Sequence, residues 1–290
     1  MKKKLTRFDL QEMKAKGEKV AWMTAYDFTT AQLAEKAGMD MLLVGDSLGM
    51  AVYGYPGTVP VTLEQSMYHT EAVRRGAPNT FVIGDMPFGS YHGSVNDAVQ
   101  NAVQYHKKCG VDCIKLEGGV RVAHIIRAIV DSGMLVMGHV GLTPQSTGAL
   151  GGFKAQGRTA EAAQAIIADA QAVYEAGAFS MLVEAVPPEV TRLIARELPI
   201  PIYGIGAGVD CDGQVMIVSD ILGIFQAFTP KFVKKYADLG AEMLKVFEAY
   251  IQDVRSGAFP AEEHTYRMIE GEMQKLMALR RKKTPKSGRR

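Results

Sequence analysis

Short apolar runs rich in β-branched residues alternate with stretches of helical periodicity along nearly the whole chain. The runs at residues 20–26, 40–45, 80–84, 111–116, 134–139, 179–183, 201–205 and 214–218 read as strands. Between them, residues 29–37, 63–75, 94–109, 120–132, 159–176 and 188–197 space their apolar positions as helices do, and a further helix is predicted over 231–255. Strands alternating with helices in this way predict βαβ units around a parallel sheet.

One unit recurs three times. A helix ends at a glycine (Gly38, Gly110, Gly177), a short loop follows, then an apolar strand, then a carboxylate (Asp46, Glu117, Glu184). Eight such strands, within about the 250 residues that such a barrel needs, predict a (β/α)8 barrel. A doubly wound sheet with an appended domain is the alternative. Two connections, residues 46–61 and 141–158, exceed what a barrel needs and carry clustered glycines and prolines. Both follow strands, so both lie on the face where barrel enzymes keep their active sites.

Composition removes several classes of function. The 33 Lys plus Arg against 31 Asp plus Glu leave a net charge of +2, which argues against a protein built around nucleic-acid phosphates. Three widely placed cysteines imply no disulfide framework. The basic N-terminus is not followed by the apolar core of a signal peptide, and no apolar run is long enough to span a membrane. The expectation is a cytoplasmic enzyme. After Gly257 the chain turns polar: residues 261–279 read as a polar helix and 280–290 as a basic, solvated terminus.

Four acids stand where apolar strands end: Asp46, Asp85, Glu117 and Glu184. In a parallel barrel those ends converge on one mouth. Carboxylates crowded there must be protonated, paired with a base or neutralised by a cation, and an all-oxygen ligand set suits magnesium. Lys115 shares a strand face with Glu117 and would either hold a substrate anion or form a structural ion pair. His139 ends the fifth strand; it would ligate, orient a substrate or polarise a carbonyl, or serve as a satisfied polar residue under the long loop. The other histidines sit in predicted helices or loops, and no complete zinc motif is present. Gly204, Gly206 and Gly208 resemble a nucleotide loop only superficially, because the fingerprint's third glycine would fall at Val209. Cys109 and Cys113 flank the start of a strand, away from the mouth, and read as packing residues.

The segment Gly45-Asp-Ser-Leu-Gly-Met50 resembles the ketopantoate hydroxymethyltransferase family. The likeness continues through Gly84-Asp-Met-Pro-Phe88, Lys115-Leu-Glu-Gly-Gly119, Gly138-His-Val-Gly-Leu-Thr-Pro-Gln145, Gly204-Ile-Gly-Ala-Gly208 and Phe259-Pro-Ala-Glu-Glu-His264, in family order over about residues 5–266. Tyr203 stands where the family more often has a small aliphatic residue, and the extension beyond Tyr266 has no counterpart.

The resemblance implies a (β/α)8 barrel of the phosphoenolpyruvate mutase and isocitrate lyase superfamily. Residues 1–266 would be the catalytic domain with its C-terminal helices, and 267–290 an extension. It implies a homodecamer of two pentameric rings, touching through C-terminal helices, with no nucleic-acid or membrane partner. The implied reaction passes a one-carbon unit from 5,10-methylenetetrahydrofolate to 3-methyl-2-oxobutanoate, giving 2-dehydropantoate on the way to pantothenate, through a magnesium-stabilised enolate. Matched residue by residue, Asp46, Asp85 and Glu117 are the magnesium acids. Asp46, Ser47, Asp85 and Lys115 contact the oxo acid, and His139 is a further candidate for it. Glu184 is the proton acceptor, a role that suits it if burial raises its pKa towards neutrality. A lyase of the same superfamily, acting on a 2-oxo acid or related carboxylate, is the rival; such enzymes carry a catalytic cysteine on a mouth loop, and neither long loop here contains one. A 2-oxo acid sensor touching nucleic acid through its basic tail is a second rival, disfavoured by the charge balance.

Overall fold

The computed structural model describes residues 3–283, divided into two compact units between Asp238 and Leu239. In the first, eight parallel strands close into a barrel in chain order: β1 (Val20–Thr24), β2 (Met41–Val44), β3 (Phe81–Asp85), β4 (Cys113–Glu117), β5 (Val136–Gly141), β6 (Ser180–Glu184), β7 (Ile202–Ile205) and β8 (Gly213–Met216). β8 completes the ring against β1, with Val20 opposite Gly213 and Trp22 opposite Val215. The barrel is therefore the predicted one, and the open sheet is excluded.

Strand alternation divides the apolar residues into two cores. One, with Trp22, Met41, Phe81, Ile83, Met137 and Tyr203, fills the barrel. The other, with Leu42, Val82, Ile114, Val136, Met181 and Ile202, lies under the helices. Strands buried on both faces are why the sequence reads as unbroken apolar runs. Tyr203 is fully buried in the inner core, and its hydroxyl has no partner. Its ring packs edge-to-face on Trp22 at 5.4 Å; ring burial and this contact offset the roughly 1–3 kcal/mol of an unpaired polar group.

The helices begin where short polar side chains can take their free N–H groups. Thr62 and Gln65 form a capping box at Leu63–Gly76, and Thr159 caps Ala160–Glu175. A helix that the periodicity missed, Arg7–Lys16, starts at a Thr6–Asp9 capping box and stops at Gly17. It joins the inner core through fully buried Leu10, and its Lys14 pairs with Asp212 at 2.8 Å just before β8.

Three expectations need correction. The last strand is Gly213–Met216, and residues 218–221 already turn as a short helix. The helix expected over 231–255 is Leu239–Ser256, all of it in the second unit, with residues 231–238 irregular. The polar helix expected over 261–279 is instead a 3-10 turn at Glu262–His264 and a helix at Glu272–Lys283, divided by left-handed Gly271. In the last case a local breaker, Gly271, outweighed composition. Of the basic terminus, residues 284–290 lie outside the described residues.

Candidate active site

Strand register assembles the chemistry. Asp85 lies opposite Lys115, Glu117 opposite His139, and Gly141 opposite Glu184. Asp85, Lys115, Glu117, His139 and Glu184 are inward positions near the C-terminal ends of four consecutive strands, β3 to β6, and Asp46 with Ser47 follows β2. All five sites predicted on strands therefore come together, as do Asp46 and Ser47.

The Lys115 Nζ sits 2.6 Å from Asp85 Oδ1 and 3.6 Å from Glu117 Oε1. Asp46 donates its backbone N–H to Asp85 Oδ2 at 3.1 Å. Asp85 is held from behind as well: the Tyr105 hydroxyl donates to its carbonyl at 2.8 Å. That approach needs Gly84, since a Cβ there would stand 2.8 Å from the tyrosine ring. His139 bridges two acids, with Nδ1 3.3 Å from Glu117 and Nε2 3.2 Å from Glu184. Neither contact has the alignment of a full hydrogen bond, so the imidazole is held more by charge than by direction. Ser47 Oγ shares a 2.8 Å hydrogen bond with the Tyr26 hydroxyl.

Gln145 is the organiser that sequence reasoning missed, although it lay inside a motif already singled out. Its backbone N–H donates to Glu117 Oε2 at 2.9 Å, and its side-chain amide donates to Asp46 Oδ2 at 2.9 Å and to the Met86 carbonyl at 3.0 Å. Its amide oxygen accepts from the Tyr91 hydroxyl at 2.6 Å. One buried residue, through its backbone N–H and its side-chain amide, thus fixes two acids that are far apart in the chain.

The electrostatics follow from burial. Asp46, Asp85, Lys115, Glu117 and His139 are each at most 3% exposed. Burial, then the charges of Asp85 and Glu117, push the Asp46 carboxyl well above its usual range. Burial also raises Asp85, against the opposing pull of Lys115. Burial would raise Glu117 too, but Lys115 and His139 outweigh it and hold its carboxyl low. For Lys115, burial alone would lower the pKa; Asp85, Glu117 and Asp46 more than reverse this and keep the ammonium charged. Burial and Lys115 likewise oppose protonation of His139, yet Glu117 and Glu184 push it up to about 9. Glu184 is less enclosed than expected, its side chain 14% exposed, and it looks onto the cavity.

Asp46, Ser47, Asp85, Lys115, Glu117 and Glu184 line a cavity of about 940 Å³, whereas His139 is not part of its wall. Its rim is built on strained backbone next to Glu184. Ala185 has φ 49°, and a Cβ on Gly141 would meet the Glu184 carbonyl at 2.4 Å. Cys109, Cys113 and Cys211 are all buried, and none lines the cavity.

Among the described residues, no three His, Cys, Asp or Glu side chains are arranged to hold one ion between them. Lys115 stands between Asp85 and Glu117, and Gln145 takes one Glu117 oxygen. Asp46 and Asp85 are engaged in the same way, by Gln145 and Lys115, so all three acids share one buried environment that carries more negative than positive charge. That donor set fits magnesium, which commonly takes one or two carboxylates and completes its sphere with water and substrate oxygens.

Fold and site together define a (β/α)8-barrel enzyme with a buried cluster of acids and one lysine at the barrel mouth. Among solved structures, phosphonopyruvate hydrolase in complex with oxalate and Mg++ matches with a TM-score of 0.58 at 16% identity, over 96% of this chain and 98% of that one. A 2,3-dimethylmalate lyase, itself a member of the PEP mutase/isocitrate lyase superfamily, matches with a TM-score of 0.58 at 18% identity, over 95% and 99%. The chain belongs to the ketopantoate hydroxymethyltransferase family, whose profile matches residues 4–262. It is similar to the 3-methyl-2-oxobutanoate hydroxymethyltransferase of Alkaliphilus metalliredigens, 61% identical over 93% of this chain and 95% of the relative. The enzyme of that name from Desulfotalea psychrophila is 51% identical over 90% and 94%. The chain is accordingly a transferase enzyme.

Proposed function

We propose that this enzyme moves the one-carbon unit of 5,10-methylenetetrahydrofolate onto C3 of 3-methyl-2-oxobutanoate, giving 2-dehydropantoate for pantothenate synthesis. The observation that carries this reading is the set of register pairs, which puts a charged lysine, two buried acids and a base-bearing strand end into one cavity. The names of the relatives support the same substrate.

Lys115 neutralises the substrate carboxylate, and Ser47 donates a hydrogen bond to it. Asp46, Asp85 and Glu117 would hold magnesium. The metal, when bound, withdraws electron density from the ketone and so acidifies the C3–H bond. Glu184 removes the C3 proton. His139, charged at neutral pH, lies 3.2 Å from the Glu184 carboxylate and orients it. C3 then bonds to the folate methylene carbon, the carbon–nitrogen bonds to the folate break, and one water supplies the product hydroxyl.

Among the described residues no helix is long and apolar enough to cross a membrane. We place the enzyme in the cytoplasm, as a homodecamer of two pentameric rings without nucleic-acid partners. The exposed apolar side chains of helix Leu239–Ser256, among them Leu244, Val246, Phe247 and Tyr250, support self-association. Residues 1–266 form the catalytic domain, and 267–290 an extension dispensable for chemistry. The direct test is purified protein with both substrates and magnesium, scored for 2-dehydropantoate. Cleavage of a 2-oxo acid or related carboxylate in place of transfer would favour the lyase.

A further inference from the structure

The oxo acid and its metal account for one end of the cavity only. A five-carbon acid is small beside about 940 Å³, which is near the top of the roughly 300–1,000 Å³ range for whole drug-sized ligands. The rest of the wall has its own chemistry. Asp220, on the short helix Val218–Ile221 after β8, lines the same cavity and is 8% exposed. No described residue hydrogen-bonds to its carboxylate. The cation that acts on it, Lys235, is exposed and makes no contact with it. Beside it, Ser219 Oγ is buried without a partner and also faces the cavity. A buried carboxylate with no donor is costly. Its position in a cavity wall leaves it open to donors carried by a ligand.

The chemistry of that ligand is narrow. A carboxylate repels the anionic oxo acid, which Lys115 serves. It takes instead a neutral or cationic group with two adjacent N–H donors, one for each oxygen. The neighbouring wall is aromatic: Phe225 and Phe228 meet edge-to-face at 5.3 Å, and Phe232 lies against Gly206 so closely that a Cβ there would stand 2.6 Å from its ring. Such a wall suits a flat heterocycle. At the rim, Lys154, Arg158 and Lys231 are exposed cations suited to a carboxylate-bearing tail. The two ends are electrostatically connected. The Tyr26 hydroxyl, bonded to Ser47, has its pKa raised by burial and further by the charges of both Asp220 and Asp46.

We propose that Asp220 binds the pterin of the reduced folate, accepting from its ring N3–H and 2-amino group, while the phenylalanine wall packs on the ring and the rim cations take the glutamate tail. This rests on the transferase reading above. It gives the folate a residue of its own, separate from those that bind and deprotonate the oxo acid.

The test uses the full chain with tetrahydrofolate as probe, measured by calorimetry. Asp220→Asn turns one accepting oxygen into a donor that opposes the pterin. The Kd for tetrahydrofolate should rise about 10- to 100-fold, as expected for loss of hydrogen bonds to a charged group. Deuterium exchange at C3 of 3-methyl-2-oxobutanoate, run without folate, should stay within twofold of wild type. The variant should melt at or above the wild-type temperature, because a buried unpaired charge has been removed. A tetrahydrofolate analogue with methyl in place of the 2-amino group tests the same contact without mutation: it should bind wild type weakly and the variant no more weakly. Variant binding within threefold of wild type, C3 exchange lost together with folate binding, or tight wild-type binding of the analogue would each overturn the proposal. A wild type that neither binds tetrahydrofolate nor makes 2-dehydropantoate would overturn the transferase reading as well, so the two failures are distinct.

Discussion

Replacing Lys115 by methionine removes the ammonium from among the acids while keeping most of the side-chain volume. At an effective dielectric of about 20, the 2.6 Å contact with Asp85 is worth about 6 kcal/mol and the 3.6 Å contact with Glu117 about 5 kcal/mol. Against this stands the several kcal/mol spent on burying the ammonium, which the variant no longer incurs. Protonation of one carboxyl caps the loss further, since Asp46 and Asp85 are already biased towards the neutral form. The net expectation is about 3–5 kcal/mol, the usual cost of orphaning a buried charge. For a domain of this size that is roughly 6–20 °C in Tm. Calorimetric melts of both proteins should show this gap without divalent ions. Magnesium should narrow it, because a cation bound at the acids replaces the missing charge; binding at one hundred times Kd contributes about 2.7 kcal/mol. A variant melting within about 2 °C of wild type in metal-free buffer would refute the claim that Lys115 holds these acids together.

Three further outcomes are expected. Glu184→Gln should keep its shape and its magnesium but lower C3 deuterium exchange of 3-methyl-2-oxobutanoate by at least about 100-fold; wild-type exchange would move the base to another group. Asp46→Ala or Asp85→Ala should weaken magnesium and oxo-acid binding together in calorimetry, and full metal affinity in both variants would remove them from the site. Truncation before Glu270 should leave activity intact; loss of activity with assembly preserved would show that the extension takes part.

How much of this was legible beforehand follows from the range of the forces involved. The triple repeat and the alternating strands are local patterns, fixed by what a strand buried on both faces must contain, and they led directly to the closed barrel. The acids at the strand ends were legible for the same reason: parallel strands bring their C-terminal ends to one mouth. Local breakers defeated composition only at the chain's far end, as at Gly271.

What the linear chain left open was which groups compensate which. Lys115 could have held an anion or an acid, and only the pairing of β3 with β4 sets it against Asp85. His139 was ambiguous until the register placed Glu117 and Glu184 on either side of it. Gln145 had no periodicity to announce it, because its value lies in reaching Asp46, 99 residues away, Glu117 and Tyr91 at once. Asp220 was not singled out in the sequence, where it falls just beyond the strand expected over 214–218. Its burial without a donor is a property of the closed cavity alone. Strand pattern depends on a residue's nearest neighbours in the chain, so the sequence determined the barrel and the list of acids. Charge compensation depends on neighbours in space, so only the tertiary structure decided which of those acids are paired, which is left for a metal, and which waits for a ligand.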